Sequence, residues 1–268
     1  MPKYDEIGKR MKNYYEAIPK TKLMRRCPVV IRLDGKSFHS FTKRFEKPFD
    51  NVLIQSMQDT MEYLCKNIQG CVLGYHQSDE ISLLLIDFKT LNSEAYFDYE
   101  VQKLCSVISS MATLAFNKAF KNNVSKFEKV LDYAFEVESE ECSELHKLYS
   151  TYVEAIEKGA MFDCRVFNIP KEEVTNYFYW RQIDCIRNSI NMVGQSYFSH
   201  KELQHKSCNM INSMLLEKGV DWNGLGTHLK RGDCCIKKAT GWTIDLNIPE
   251  FVGEGRDYVD YCFYWVIG

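Results

Sequence analysis

The sequence has no long apolar run and no strong net charge of either sign. No window approaches the roughly 18 to 20 uninterrupted apolar residues that a membrane helix requires, and the N-terminal stretch MPKYDEIGKRMKNYYE has no apolar signal-peptide core. The net charge of −2 over 268 residues argues against nucleic-acid binding by bulk positive charge. The composition, with 45% hydrophobic and 26% charged residues, is that of a folded globular protein. We therefore expect a cytoplasmic protein that does not contact the membrane.

Several motifs of phosphate and metal chemistry are also missing. No G-x-x-x-x-G-K-[ST] loop occurs, and no G-x-G-x-x-G follows a predicted strand, which excludes a P-loop enzyme and a Rossmann-type nucleotide site. The 11 cysteines include no C-x-x-C pair, and the adjacent Cys234 and Cys235 make poor ligands for one zinc ion. An odd number of cysteines fits free thiols in a reducing compartment better than a disulfide framework.

The order of the apolar segments predicts a β-α-β-β-α-β unit. Apolar residues at helical spacing predict two helices, one beginning after the capping residue Asp50 and one spanning about residues 99–120. Short apolar and β-branched runs predict four strands, at residues 29–33, 71–75, 81–86 and 164–169. This order is typical of the ferredoxin-like fold, an antiparallel sheet with two helices on one face. The sequence therefore predicts an α+β protein.

Two other regions differ from this unit. Residues 132–157 contain eight acidic residues and one lysine, which indicates an acidic insertion before the last strand. Beyond Pro170 the chain is mostly helical, and its tail is expected to end in short strands or loops. Over residues 176–197 the spacing predicts an apolar stripe of Ile183, Ile186, Ile190, Val193 and Tyr197, beside a polar ridge of Arg181, Asp184, Asn188 and Asn191. We predict two domains, a catalytic one over residues 1–170 and a mostly helical one over residues 171–268.

Two carboxylates are expected at one edge of the sheet. Asp34 ends the first strand and precedes Gly35, and Asp79 sits with Glu80 in the turn of the central hairpin. In a β-α-β-β sheet these two points fall at the same edge. Neighbouring carboxylates repel each other unless a cation joins them, and Mg²⁺ prefers one or two carboxylates together with water and phosphate. Each turn alone is more often structural, but together they predict a metal site for phosphoryl or nucleotidyl transfer.

The loop after Asp34 combines positive charge with aromatic rings. Its cationic side chains can donate to phosphates: Lys36, Lys43, Arg44 and Lys47. Its rings are suited either to stacking on a base or to packing in the core, and the sequence leaves this choice open: Phe38, Phe41 and Phe45. A further basic group near the C-terminus includes Lys230 and Arg231, and any one such group is by itself most often solvated surface.

Six ordered blocks resemble those of one enzyme family. The first block reads VVIRLDGKSFHSF at residues 29–41, and Lys47-Pro48 follows it. The second carboxylate block reads GYHQSDE at residues 74–80. The later blocks are FDCRV at residues 162–166, WRQIDC at residues 180–185 and KRG at residues 230–232. Over roughly residues 27–238, the chain thus resembles the tRNA-histidine guanylyltransferases and their relatives, the reverse (3′-to-5′) polymerases.

The resemblance implies a polymerase-like palm with a mostly helical C-terminal part. Asp34, the Gly35 carbonyl and Asp79 would bind two Mg²⁺ ions, and Glu80 would join the two aspartates as a catalytic residue. The nucleotide would be lined by Asp34, Gly35 and Asp79 together with Lys36, Ser37, Phe38, His39, Lys47 and Ser78. Contacts to RNA are expected from Lys43, Arg44, Arg181, Asn188, Lys230 and Arg231.

The resemblance also implies a reaction. ATP would activate the 5′-monophosphate of a tRNA to an adenylylated end, and the 3′-hydroxyl of an incoming nucleoside triphosphate, usually GTP, would attack that end and release AMP. Nucleotides would thus be added to the 5′ end in the 3′-to-5′ direction. Since members of the family commonly form tetramers, the expected partners are tRNA, nucleoside triphosphates and further copies of the chain.

One block departs from the family pattern. Dedicated guanylyltransferases carry a His-Ile-Asn-Asn-Leu-Tyr-Asn run after an Asp-Cys pair, whereas Asp184-Cys185 is followed here by IRNSINM at residues 186–192. Asn188 alone stays in place, and Ile186 takes the position of the histidine. The departure favours the guanylyltransferase-like branch, whose members add nucleotides opposite a template to repair truncated tRNA 5′ ends.

Two other functions remain possible at this point. A palm-type nucleotidyl cyclase or cyclic-dinucleotide synthase would share the two-metal site, although the basic loop and the later blocks argue against it. An inactive RNA- or nucleotide-binding module is disfavoured because Asp34, Asp79 and Glu80 are all present.

Overall fold

A six-stranded antiparallel sheet organises the chain in the computed structural model, which describes residues 2–136 and 142–264. The strands are β1 Val29–Gly35, β2 Cys71–Gln77, β3 Glu80–Leu85, β4 Phe162–Asn168, β5 Asp233–Lys238 and β6 Gly241–Asp245. Their order across the sheet is β4-β1-β3-β2-β5-β6. The predicted α+β class and the order β-α-β-β-α-β are therefore confirmed.

Helices cover both faces of this sheet. They are α1 Pro2–Met11, α2 Phe38–Phe41, α3 Asn51–Asn67, α4 Val101–Glu136, α5 Cys142–Lys158, α6 Val174–Tyr197, α7 His200–Leu203, α8 Cys208–Glu217, α9 Thr227–Arg231 and α10 Arg256–Phe263. Helix α3 begins where the sequence predicts, because the Asp50 carboxylate accepts a hydrogen bond from the Leu53 amide at 2.8 Å and so caps the first turn. Among the described residues, none of the helices is both long and apolar enough to cross a membrane.

Alternate residues of β1 serve two different cores. Val29, Ile31 and Leu33 are fully buried in the larger core, which α3, α4 and α5 close. Val30 points to the opposite face, into a second core built with residues of α6 and α10. Because side chains alternate along a strand, Arg32 and Asp34 lie on the same face as Val30. The apolar cover of that face ends before it reaches them.

The C-terminal part returns to the sheet. Strand β5 pairs with β2, and β6 pairs with β5, so the sheet continues across the predicted boundary at residue 170. This part of the chain is mostly helical and its tail forms short strands, as predicted. The division into two domains stays a prediction.

Two local predictions need correction. The helix expected to end near residue 120 runs on as α4 to Glu136, and the acidic insertion is helical on both sides of residues 137–141, which lie outside the described residues. On α6, Ile183 and Tyr197 are exposed while Arg181 is only 6% exposed. The apolar stripe is rotated from the predicted one because Val174 and Phe178 dock on the sheet and an ion pair draws Arg181 inward.

The cysteines form no disulfide. All eleven are free thiols, as the absence of C-x-x-C pairs predicts.

Candidate active site

The structure brings Asp34 and Asp79 together at one edge of the sheet. Strand β1 ends at Gly35, and Ser78 and Asp79 form the two-residue turn between β2 and β3. The Gly35 amide donates a hydrogen bond to the carbonyl oxygen of Asp79 at 3.1 Å, which ties the strand end to the turn. Both aspartates line an open cavity of about 510 Å³. The topological argument from the sequence therefore places the two carboxylates correctly.

The backbone at this edge is tight. A Cβ atom at position 35 would lie 2.2 Å from the Phe38 ring, so only glycine allows the chain to pass here. Ser37 and Ser78 have positive φ angles of 57° and 52°, in the left-handed region that non-glycine residues seldom adopt. Such backbone strain is often found at functional sites.

Burial and like charge both act on the Asp79 carboxyl group. Desolvation is the larger cause and the neighbouring charge of Asp34 the second, and together they raise the pKa of Asp79 above its ordinary value. A bound cation would remove this conflict because it attracts both carboxylates.

Glu80 lies next to Asp79 but in different surroundings. Its side chain is buried, and its Oε1 accepts a hydrogen bond from Arg181 Nε at 2.7 Å. Arg32 Nε lies 3.8 Å from the other carboxylate oxygen, and it makes no hydrogen bond among the described residues. Burial raises the pKa of Glu80, and the two guanidinium groups oppose part of that rise.

Arg181 lines the same cavity and is paired within the protein. Its Nη2 also donates to Asp184 Oδ2 at 2.8 Å, so two carboxylates occupy the guanidinium. These two pairs occupy the Arg181 guanidinium within the protein, and the expected contact of Arg181 with RNA stays a prediction. The structure shows Arg181 as the ion-pair partner of the buried Glu80.

The donor set fits Mg²⁺ better than a transition metal. Asp34 and Asp79 offer hard carboxylate oxygen atoms at one cavity, and the Gly35 amide contacts the Asp79 carbonyl beside them. Among the described residues, no group of three or more His, Cys, Asp or Glu side chains forms a metal cage. Mg²⁺ takes one or two carboxylates and completes its shell with water and substrate phosphates, so the Asp34 and Asp79 carboxylates fit it.

The basic loop divides into an exposed and a buried set. Lys36, Ser37, His39 and Lys47 are exposed, and Lys36 and Ser37 directly follow the end of β1. The three rings are buried in the larger core, with exposures of 3%, 7% and 4%, at Phe38, Phe41 and Phe45. The structure thus settles the open alternative in favour of core packing, because ring contacts with Phe116 and Phe120 hold this cluster together. Any contact between Phe38 and a nucleotide has to come from its backbone.

The remaining expected RNA contacts lie in two places. Lys43 and Arg44 are exposed beside α5, where Arg44 pairs with Glu154. Lys230 and Arg231 lie at the end of α9, where Arg231 Nη1 is 3.0 Å from Glu250 Oε1. Asn188 lines the carboxylate cavity itself.

Four residues of the cavity escaped the sequence reasoning: Arg32, Gln77, Trp180 and Asp184. A signal for Arg32 was available, because it stands two residues before Asp34 and strand alternation puts both on one face. Trp180 belongs to the WRQIDC block, which by itself predicts no role for the ring. It is 51% exposed at the cavity, and the Arg181 guanidinium carbon lies 4.4 Å from the centre of its ring.

Comparison with known proteins gives consistent results. A family model described as tRNA(His) guanylyltransferase matches residues 8–170. A protein of Acanthamoeba polyphaga mimivirus is 30% identical over 247 residues, which cover 87% of this chain and 77% of that protein.

Solved structures match over nearly the whole chain. A bacterial tRNA(His) guanylyltransferase-like protein in complex with ATP has a TM-score of 0.79 and 38% identity, and the match covers 96% of this chain and 99% of that one. A structure described in the same words but in complex with GTP has a TM-score of 0.72 and 35% identity, with 97% and 100% covered.

Proposed function

The chain belongs to the tRNA(His) guanylyltransferase family and is a nucleotidyltransferase, and we propose that it adds nucleotides to the 5′ end of tRNA in the 3′-to-5′ direction, using Mg²⁺. The observation that carries the proposal is the meeting of Asp34 and Asp79 at one cavity, with the pKa of Asp79 raised by burial and by the charge of Asp34.

Each residue at the strand end has a task in this proposal. Asp34, the Gly35 carbonyl and Asp79 hold two Mg²⁺ ions, which when bound orient phosphates and neutralise the charge that develops on them. Glu80 lines the same cavity and joins the two aspartates as a catalytic residue in this proposal. Its other contact is with Arg181, which balances its charge.

The nucleotide lies against the loop that follows. Lys36 and Lys47 donate to the triphosphate, since both are exposed cations of the loop that follows Asp34. Ser37, His39, Ser78 and the backbone at Phe38 complete the lining. ATP and GTP are the proposed nucleotides, supported by guanylyltransferase-like relatives whose structures hold them.

We propose the guanylyltransferase-like branch, with addition opposite a template base. Ile186 packs against the cluster of α6 and α8 that contains Ile190 and Val193. An isoleucine held in that cluster offers neither charge nor hydrogen bond to a 5′ phosphate, so base pairing has to carry the selectivity. We also propose that the enzyme forms tetramers and works in the cytoplasm.

The test is an incubation of the protein with labelled ATP, all four nucleoside triphosphates and 5′-phosphorylated RNA. We expect extension of a tRNA that lacks its first 5′ nucleotide, with the added base following the opposing template base. A cyclic product from ATP alone would instead indicate the cyclase, and no turnover an inactive binding module. Addition of a single G to intact tRNA(His), whatever base lies opposite, would contradict the proposed branch.

A further inference from the structure

A buried histidine lies directly behind the turn that carries Asp79. His76 is 3% exposed and points from β2 toward α3. Its Nε2 lies 3.1 Å from the carbonyl oxygen of Ser78, and its Nδ1 lies 3.1 Å from Oδ2 of Asp233. Gln58 Nε2 donates to the same Asp233 oxygen at 2.8 Å. One end of the ring thus contacts the turn and the other contacts strand β5.

Both ring nitrogens face hydrogen-bond acceptors. A backbone carbonyl cannot donate, and an ionised Asp233 carboxylate only accepts, so each contact requires an N–H on the ring. A neutral imidazole has one N–H, and only the imidazolium form satisfies both partners. Burial alone lowers the pKa of His76, but the charge and hydrogen bond of Asp233 outweigh it, and the pKa is raised overall. His76 and Asp233 therefore form a buried ion pair.

The local backbone places this pair. Asp233 lies opposite His76 in the pairing of β2 with β5. Gly232 has a φ of +82°, and a Cβ atom there would lie 2.4 Å from the carbonyl oxygen of His76, so glycine is required for this approach. The second oxygen of Asp233, Oδ1, is buried without a hydrogen-bond partner among the described residues. Such an arrangement is expensive for a protein that needs it only for stability.

The turn itself is held through both of its carbonyl groups. His76 donates to the carbonyl of Ser78, and the Gly35 amide donates to that of Asp79. The strained φ of Ser78 means that the turn needs such support to keep one conformation.

We propose that His76, held as an imidazolium by Asp233 and Gln58, is a positioning residue that fixes the Ser78–Asp79 turn so that the Asp79 carboxylate is correctly placed to bind a divalent cation. The inference rests on the proposed metal site. It assigns to strand β5 a part in the site, since Asp233 fixes the ring that fixes the turn. Residues that support metal ligands in this way typically contribute about 10- to 100-fold to metal affinity or activity.

Two variants separate the two ends of the ring. In His76→Gln the side-chain amide nitrogen can take the place of Nε2 and still donate to Ser78. In His76→Asn it can take the place of Nδ1 and still donate to Asp233, but the bond to the turn is lost. Both variants lose the positive charge beside Asp233, so they share the cost to stability and differ at the turn.

The probe is Mn²⁺, and electron paramagnetic resonance measures its binding affinity. The measurement is made at a temperature where circular dichroism shows that both variants are folded. We expect His76→Asn to bind Mn²⁺ about 10-fold more weakly than the wild type or worse, and His76→Gln to stay within about 3-fold. The matched control is His200→Asn, at an exposed histidine, and this variant should bind Mn²⁺ as tightly as the wild type. Half-saturating Mg²⁺ for nucleotide transfer should move in the same order.

Equal Mn²⁺ affinity of the two His76 variants would overturn the inference, because a purely structural histidine gives no reason for them to differ. Failure of the metal site itself would look different. In that case Asp34→Asn would leave Mn²⁺ binding unchanged, whereas a working site loses its ion in Asp34→Asn whatever happens at His76.

Discussion

The two faces of the sheet treat neighbouring residues of β1 in opposite ways. On the face covered by α3 and α4, Ile31 and Leu33 are fully buried among apolar side chains. On the other face Val30 is buried as well, but Arg32 and Asp34 stand in an open cavity. One strand therefore contributes both to a core and to a charged site. The site begins where the apolar side chains on the Val30 face end.

The difference concerns energy as well as exposure. The covered face gains free energy from each apolar residue that it buries, whereas the open face holds several carboxylates close together at Asp34, Asp79 and Glu80. Within the part of the chain that the structure describes, Glu80 is the one of these three that has guanidinium partners, Arg181 and Arg32. The unbalanced charge at Asp34 and Asp79 is what one expects where a cation and a triphosphate complete the site.

The largest effect should come from the two aspartates. Asp34→Asn and Asp79→Asn should each lower nucleotide transfer on the order of 10³-fold or more, because a lost metal ligand removes several kcal/mol of charge stabilisation. Single-turnover transfer to a 5′-phosphorylated tRNA measures the rate. Leu33→Ala on the same strand is the matched control and should instead cost about 2–5 kcal/mol of unfolding free energy. If either Asn variant keeps more than about a tenth of the rate, that residue does not bind the metal.

A second effect separates the buried ion pair from an exposed one. Arg181→Ala should lower the free energy of unfolding by about 3 kcal/mol, because Glu80 would be left buried without its main partner. Arg44→Ala breaks the exposed pair with Glu154, and it should change the free energy of unfolding by less than about 1 kcal/mol. Urea unfolding at neutral pH measures both. Similar losses in the two variants would mean that the Arg181–Glu80 pair is not the buried link that the geometry indicates.

The sequence predicts the framework of the site well. Strand and helix order follows from apolar spacing, and that order alone places Asp34 and Asp79 at one edge. The Asp50 cap and the free cysteines were equally accessible, since each depends on local chemistry or on simple counting.

What the sequence does not predict depends on contacts between distant segments. Arg181 lies in a polar ridge by helical spacing, and only the fold brings it 2.7 Å from Glu80, 101 residues earlier in the chain. His76 meets Asp233 through a strand pairing that the helical appearance of the C-terminal part concealed. The rotation of the buried face of α6 has the same origin, because the sheet and not the helix sets which residues are covered.

A third effect concerns the basic surface outside the cavity. Neutralising Lys43, Arg44, Lys230 and Arg231 together should weaken tRNA binding about tenfold or more at moderate salt and leave GTP binding nearly unchanged. For each removed cation that contacts a phosphate, the slope of log affinity against log salt concentration should fall in magnitude by about 1. Filter binding at several salt concentrations measures this, with GTP titration as the control. Equal losses for tRNA and GTP would assign these residues to the triphosphate or to the fold.

The smallest effect tests the charge conflict itself. Burial and the charge of Asp34 both raise the pKa of Asp79, so Asp34→Asn should lower that pKa in the metal-free protein while burial keeps part of the rise. Because the folded state then binds protons more tightly than the unfolded state, Asp79 contributes stability below its unfolded pKa, and this contribution is lost as the pH rises through the raised value. This pH-dependent loss of stability should be smaller in Asp34→Asn.

Carboxyl carbon NMR of the metal-free proteins measures the Asp79 titration directly. Added Mg²⁺ should lower the apparent pKa of Asp79 in the wild type because the ion competes with the proton. If neither Asp34→Asn nor Mg²⁺ changes the pKa of Asp79, the two carboxylates do not share one site. The open face would then lack the carboxylate pair that distinguishes it from the covered face.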